Sequence, residues 1–495
     1  MSCEKRPLRP VMFAGTGSDV GKSVIAAAFC RIFLQDGFHP APFKAQNMAL
    51  NSYATPDGLE IGRAQAMQAE AAGIACAVDM NPLLLKPSSD LSAQVILNGK
   101  PIGNQSAFQY FRHEGRDLLR KAVCDAFDRL AARYNPIVME GAGSIAEINL
   151  KSLDLVNMPM AVHADANVIL VADIDRGGVF ASVYGTVMLM DEKDRNRIKG
   201  VIINKFRGDI RLFEEGARLL EEKCGIPVLG IIPYYKDIFI EEEDSVVLSS
   251  KNREASNGKI NIAVVLLRHM SNFTDFNVLE QDPRVHLFYA ASPNDLEKAD
   301  IVIVPGTKNT IGDLEQLRKE GMAQAILQAK KEDKTILGIC GGYQIMGYEI
   351  ADPHQIEGSL GKMPGLGILP VSTVMGSTKC TRQVKFRFLD SDSVCDGYEI
   401  HNGVSELLDE RAATLTESLE GEKEGCFLNE KCMGTYLHGI LDNAAFVDYL
   451  LQPYLGKEAS TESFDFKKFK EEQYDKLADH IRRNVNMELI YQLLG

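Results

Sequence analysis

Gly15-Thr-Gly-Ser-Asp-Val-Gly-Lys-Ser23 follows the short apolar run Pro10-Val-Met-Phe-Ala14 and opens a helical pattern from Ser23 to Leu34. Strand, glycine-rich turn and helix in that order make a phosphate-binding loop. Small residues let backbone N–H groups converge on phosphate oxygens. Lys22 adds a mobile positive charge, the Ser23 hydroxyl can ligate Mg²⁺, and the helix that follows turns its positive end toward the anion. The usual spacing puts four residues between the first glycine and Gly-Lys-Ser/Thr; here five separate Gly15 from Gly21. The chemistry survives that change. Gly15, Thr16, Gly21, Lys22 and Ser23 are the candidate residues for binding ATP, with Ser23 also a metal ligand.

Working outward, Pro136-Ile-Val-Met-Glu140, Asn167-Val-Ile-Leu-Val-Ala172 and Gly200-Val-Ile-Ile-Asn204 read as further buried strands. Helical patterns separate them, which predicts a parallel sheet covered on both faces. The polar, turn-forming stretch from Glu241 to Gly258 reads as a linker. A second α/β series then starts at Ile260-Asn-Ile-Ala-Val-Val-Leu-Leu267 and continues through Ala299-Asp-Ile-Val-Ile-Val-Pro305 and Thr335-Ile-Leu-Gly-Ile339. The expected organisation is a nucleotide domain over 1–240, a linker over 241–259, a second α/β domain over 260–456 and a helical tail over 457–495.

The second domain carries its own chemistry. Gly338-Ile-Cys-Gly-Gly-Tyr-Gln344 sets Cys340 on a sharp turn from strand to helix. Such an elbow exposes the sulfur, lets backbone amides approach a substrate and puts the thiol at a helix N-terminus. His438, in Gly434-Thr-Tyr-Leu-His-Gly439, is the candidate base. His401, in Gly397-Tyr-Glu-Ile-His-Asn-Gly403, is its rival.

Composition narrows the class. The chain has 495 residues, 45% of them hydrophobic, as in packed globular proteins. No apolar run approaches the roughly 18 residues of a membrane span, and the N-terminus lacks a signal-peptide core, so a cytoplasmic protein is expected. The ten cysteines show no Cys-x-x-Cys and no zinc spacing. A net charge of −14 argues against nucleic acid as a partner, while leaving room for a small anionic substrate in a locally basic cleft.

The loop spacing resembles dethiobiotin synthetase and its relatives. Glu140-Gly-Ala-Gly143, Asp173-Ile-Asp-Arg-Gly-Gly178 and Asn204-Lys-Phe-Arg-Gly-Asp209 each end a predicted strand in the manner of that group. The resemblance implies that Glu140 helps hold Mg²⁺ and that Asn204 contacts adenine. Gly-x-Cys-x-Gly-x-Gln resembles the class I glutamine amidotransferases. That likeness makes Cys340 the nucleophile, His438 its base and Gln344 a contact for glutamine. It also implies an oxyanion hole from the Gly306 region and Gly341. Most of the class has a glutamate two residues after the histidine; here the position is Ile440, which leaves the orientation of His438 unexplained. The implied fold is α/β throughout: a P-loop NTPase-like, dethiobiotin synthetase-like parallel sheet domain, then a class I glutamine amidotransferase-like domain.

Taken whole, from about Pro10 to Tyr454, the chain resembles the cobyric acid synthase family. The most specific stretch is Lys44-Ala-Gln-Asn-Met-Ala-Leu-Asn-Ser52, continued by Glu60-Ile-Gly-Arg-Ala-Gln65, Met80-Asn-Pro-Leu-Leu-Leu-Lys-Pro87, Ser92-Ala-Gln-Val95 and Ser271-Asn-Phe-Thr-Asp275. The resemblance implies amidation of the b, d, e and g carboxylates of adenosylcobyrinic acid a,c-diamide, a corrinoid, with glutamine as nitrogen source and ATP and Mg²⁺ as cofactors. Lys44, Arg63 and Lys86 could meet the corrinoid carboxylates; solvated surface charge is the alternative for each. Two other readings fit parts of the chain. One is the sister enzyme that makes the a,c-diamide. The other is a partitioning-type ATPase switch with a degenerate amidotransferase domain.

Overall fold

A computed structural model describes residues 6–89, 92–106, 116–241, 252–357, 360–410, 412–455 and 463–495. The central part of the expected linker, residues 242–251, and the start of the expected tail lie outside them.

Six parallel strands form the first sheet, in the order Val228–Pro233, Ile198–Phe206, Asn167–Asp173, Val11–Gly15, Ile137–Glu140, Ala41–Phe43. Val11 and Phe13 pack into one hydrophobic cluster, Met12 and Ala14 into another. Both faces are thus covered, which is why the strand reads as one unbroken apolar run. The chain leaves Val11–Gly15 between neighbours that continue in opposite directions across the sheet, the crevice where doubly wound sheets bind ligands. Gly15, Glu140, Asp173 and Asn204 all lie at the carboxyl ends of their strands, beside that crevice.

The second sheet runs Val285–Ala290, Ile260–Val265, Ile301–Val304, Thr335–Ile339, Cys432–Thr435, Cys426–Asn429, with only the last strand antiparallel. Each apolar run of the sequence analysis is a strand of one of these two sheets.

Two pieces were not foreseen. The family-specific stretch folds into a separate four-stranded sheet, Gln46–Met48, Leu83–Ser89, Ser92–Leu97 and Lys100–Ser106, beside the hairpin Ser52–Ala54/Glu60–Gly62. The second domain adds a long ribbon, Val371–Phe388 paired antiparallel with Cys395–Leu407, whose register slips between Met375 and Cys380. Neither shows the continuous apolar signature: Asn47, Asn51, Glu60, Gln65 and Gln68 are buried, and the ribbon alternates short buried and exposed stretches.

The tail helices Phe466–Asn484 and Met487–Leu494 return to the first domain. Tyr474, Leu477, Ala478, Ile481, Ile490 and Leu494 join the cluster under Val11 and Phe13. Arg31 and Asp36 of the first domain hold Asp475 and Arg482 of the tail by ion pairs. No helix among the described residues is long and apolar enough to cross a membrane.

Candidate functional site

The chain has two candidate sites, one at the end of each large sheet. In the second domain, Cys340 sits between the strand Thr335–Ile339 and the helix Gly341–Met346, with φ 52° and ψ −111°. A non-glycine residue held in that region marks a strained turn of the kind that presents a nucleophile. The glycines around it are sterically required: a Cβ on Gly342 would lie 1.8 Å from the Val304 carbonyl oxygen, and one on Gly341 2.7 Å from Thr307 Cγ2.

His438 lines the same cavity as this turn, where the Cys340 thiol donates to the Ile400 carbonyl at 3.8 Å. His438 Nδ1 donates to Asp275 Oδ2 at 2.7 Å, and Asp275 Oδ1 accepts the Gly439 amide at 3.1 Å. A carboxylate can only accept, so Nδ1 carries a proton and Nε2 is left for the sulfur. Burial alone would push the imidazole down. The Asp275 carboxylate and the Cys340 sulfur outweigh it and raise His438 to about 10. Tyr398 lies over the ring, with centroids 5.3 Å apart. His401 is differently engaged: its Nδ1 bonds the Gly403 carbonyl at 2.7 Å and its ring stacks on Tyr436.

Asp275 is the residue that the sequence analysis missed. It gives His438 a carboxylate partner although position 440 is isoleucine, and it arrives from 163 residues upstream, on the turn Phe273–Phe276. Its only sequence signal was membership of the Ser271–Asp275 stretch.

Of the remaining candidate residues, Gln344 and Gly341 line the cavity that holds Cys340 and His438, and Gly306 lies beside the imidazole. Gln344 accepts from Thr310 Oγ1 and donates to Tyr436 Oη, both at 3.1 Å. A Cβ on Gly306 would be 3.3 Å from His438 Cε1, so the Gly306 backbone flanks the imidazole. Gly341 begins the helix after the nucleophile and lines the cavity with Thr307, Lys308, Gln344 and His438.

At the first sheet, Gly21 takes φ 98° and Gly15 has no room for a Cβ, which would meet the Gly17 and Gly143 carbonyl oxygens at 2.6 and 2.7 Å. Thr16 anchors the loop through its amide to Val171 at 3.1 Å. Lys22 Nζ donates to the carbonyls of Gly17 and Gly143, at 3.0 and 3.1 Å, and so reaches across the phosphate loop. The Ser23 hydroxyl donates to Glu140 Oε1 at 2.8 Å, and Gln68 Nε2 donates to Glu140 Oε2, also at 2.8 Å. Although burial would raise the Glu140 carboxyl, the Lys44 ammonium at 2.8 Å holds it below its usual range. A hydroxyl and an ionised carboxylate side by side at a phosphate loop are the hard oxygen donors that Mg²⁺ takes. Asn204 donates to the Val20 carbonyl at 2.8 Å and so props the loop from beneath.

Each of the three cations expected to meet a corrinoid is paired with a protein carboxylate, and none is a solvated surface charge. Lys44 pairs with Glu140, Arg63 with Glu241 through two bonds of 2.7 Å, and Lys86 with Glu60 at 2.9 Å. All three are buried, and buried cations need partners. Of the three, Lys44 faces the nucleotide cleft and Lys86 the Cys340 cavity. The cleft encloses about 1320 Å³, beyond the roughly 300–1,000 Å³ of ordinary small-molecule pockets.

Comparison with known proteins agrees with both halves. Residues 11–246 match the CobQ/CobB/MinD/ParA nucleotide binding domain, and residues 261–446 match the CobB/CobQ-like glutamine amidotransferase domain. The chain is 66% identical over 488 residues to cobyric acid synthase of Bacteroides fragilis, covering 98% of each chain. It is 66% identical to that of Phocaeicola vulgatus, covering 99% of each, and 57% identical to that of Parabacteroides distasonis, covering 98% of this chain and 99% of the other. With a phosphate loop on one sheet, a cysteine elbow on the other and likeness along nearly the whole length, the chain belongs to the cobyric acid synthase family of glutamine-dependent amide ligases.

Proposed function

We propose that the protein amidates the b, d, e and g carboxylates of adenosylcobyrinic acid a,c-diamide, using one glutamine and one ATP for each. The observation that carries this reading is the pairing of Cys340, His438 and Asp275 with the Ser23 and Glu140 site in one chain.

His438 takes the Cys340 thiol proton as Sγ attacks the side-chain carbonyl carbon of glutamine. The amides near Gly306 and Gly341 face the oxyanion that develops. His438, oriented by Asp275, delivers a proton to the departing nitrogen, and ammonia leaves. Water, deprotonated by His438, cleaves the thioester to glutamate and returns the thiol. At the first sheet, phosphoryl transfer from ATP to a corrinoid carboxylate gives an acyl phosphate and ADP. Ammonia then adds to the acyl carbon and phosphate departs. Positioning and charge neutralisation dominate such a transfer, and Lys22, the loop amides and the N-terminus of helix Lys22–Gln35 supply both. Mg²⁺ held by Ser23 and Glu140 would neutralise phosphate charge. A cleft of this size suits a nucleotide together with a macrocycle. We assign the reaction to the cytoplasm, with its ATP, glutamine and reducing thiol pool.

The test is to follow corrinoid mass with ATP, Mg²⁺, glutamine and adenosylcobyrinic acid a,c-diamide. Four successive replacements of OH by NH₂ are expected. No change, with cobyrinic acid accepted instead, would assign the protein to the sister reaction. No change with either corrinoid, alongside steady ATP hydrolysis, would favour a nucleotide switch.

A further inference from the structure

The two sites back onto one thin partition. Gln46, Asn47 and Met48 line the nucleotide cleft. Their strand pairs in parallel with Leu83–Ser89, Met48 opposite Leu85. The next residue, Lys86, lines the cavity that holds Cys340 and His438. One layer of paired strands therefore borders both cavities.

An ionic cluster fills that partition on the cysteine side. Glu60 accepts from Lys86 Nζ at 2.9 Å and from the ammonium of Lys379, and Lys86 also donates to Ser52 Oγ at 2.8 Å. Glu60 and Lys86 come from the first half of the chain. Lys379 comes from the second, where the register slip between Met375 and Cys380 lifts it out of the ladder toward Glu60. Bulges recur beside active sites for this reason: they re-aim a side chain. The three side chains are 0%, 4% and 6% exposed.

Burying three charges is expensive, and an apolar contact would join two domains at lower cost. The cluster is also unbalanced, with two ammonium groups on one carboxylate. Burial, helped by the neighbouring lysines, pushes Lys379 down to about 7 despite Glu60, while the two lysines hold Glu60 well below the usual carboxylate range. Lys379 therefore holds its proton loosely, on the wall of the cavity that contains Cys340 and His438. Ammonia is small and polar, and it needs hydrogen-bond partners on its way out of a closed pocket. Glu60 can accept from it and the lysines can donate to it.

We propose that Lys86, Glu60 and Lys379 form the polar gate by which ammonia released at Cys340 passes to the synthetase cleft without entering solvent. This rests on the glutamine-dependent amidation proposed above.

An isotope competition tests it. The enzyme turns over with glutamine labelled with ¹⁵N in its side-chain amide, in excess unlabelled ammonium, and the label in the new corrinoid amide is read by mass. Wild type is expected to retain ¹⁵N. Lys379→Met and Glu60→Gln are expected to dilute it severalfold, with the missing ¹⁵N recovered as free ammonium, while Lys379→Arg keeps most of it. Because the readout is a ratio within one product, a bridge that only stabilises the interface would lower rates and leave the label unchanged. Full retention in both Lys379→Met and Glu60→Gln would overturn the gate, and if one of these fails to fold the other carries the test. A wild type that makes amide but dilutes the label would overturn both path and gate. A wild type that makes no amide from either nitrogen source would instead overturn the amidation reading.

Discussion

Asp275 Oδ2 lies 2.7 Å from His438 Nδ1, although 163 residues of chain separate the two. The pair is almost wholly buried, with side chains 4% and 1% exposed. Its geometry fixes the imidazole tautomer that leaves Nε2 for the Cys340 sulfur. Asp275→Asn keeps the shape but can offer an N–H to Nδ1, which favours the opposite tautomer. Glutamine hydrolysis should fall by roughly 10²–10⁴-fold, the range seen when a histidine loses such a partner. Synthesis from ammonium salts should persist. Steady-state glutaminase and ammonium-driven assays on the same preparation check this.

The same pair predicts a pH dependence of stability. His438 is raised in the folded protein to about 10, from an ordinary value of 6.5. A raised group stabilises fully below its unfolded value and ceases to as pH climbs through the folded one. The destabilisation caused by Asp275→Asn should therefore be greatest at about pH 6.5 and shrink steadily as the pH rises from there toward 10. Urea unfolding of the two proteins at both ends of that window measures it. A gap that widens with pH would contradict the assignment.

Glu140 accepts from Ser23, Gln68 and Lys44 at the phosphate loop, each at 2.8 Å. Glu140→Gln keeps its size but removes the negative charge. Ammonium-driven amidation should fall by roughly 10²–10³-fold, in line with the loss of one preorganised electrostatic group. The Mg²⁺ concentration for half-maximal rate should rise, and hydrolysis of glutamine alone should be little changed. A titration of Mg²⁺ in both assays separates the two sites.

Strands with both faces buried were legible because they are built on nearly unbroken apolar runs. Val11–Gly15, Asn167–Asp173 and Ile260–Val265 needed only their composition. The phosphate loop and the Cys340 elbow were legible because their glycines, lysine and cysteine fall together in a short run between an apolar strand and a helical pattern. What stayed hidden depends on distant chain. Asp275 reaches His438 only once the second domain has closed. The inserted sheet at Gln46–Met48 buries amides and charges that read as surface. Lys86 resembled a free cation until Glu60 and Lys379 were brought against it.

Leu477 lies in the tail helix and is fully buried under Val11 and Phe13. The tail is thus part of the first domain's core, although nearly the whole chain separates them. Leu477→Ala should cost about 2–5 kcal/mol, the range for a leucine truncated in a packed core. Loss of ATP-site function with rising temperature should precede loss of glutaminase activity, since the second domain's main core lies elsewhere. Thermal inactivation of each half-reaction checks the order.

The first domain holds the turn that carries Asp275 in the second. Asn51 Oδ1 accepts the Phe273 amide at 3.2 Å, and Asn272 Oδ1 accepts the Ser52 amide at 2.9 Å. Asn272 takes φ 52° to do so, a conformation asparagine tolerates better than most residues. This reciprocal clamp ends two residues before Asp275. Asn51→Ala removes an acceptor from a buried amide, which costs roughly 1–3 kcal/mol. That loss falls on the turn that carries Asp275, so glutamine hydrolysis should drop even though Asn51 lies outside the amidotransferase domain. The drop should appear in kcat rather than KM, because His438 and not the glutamine contacts at Gln344 is disturbed. A rise in KM with kcat intact would mean that the clamp shapes the substrate pocket instead of the turn.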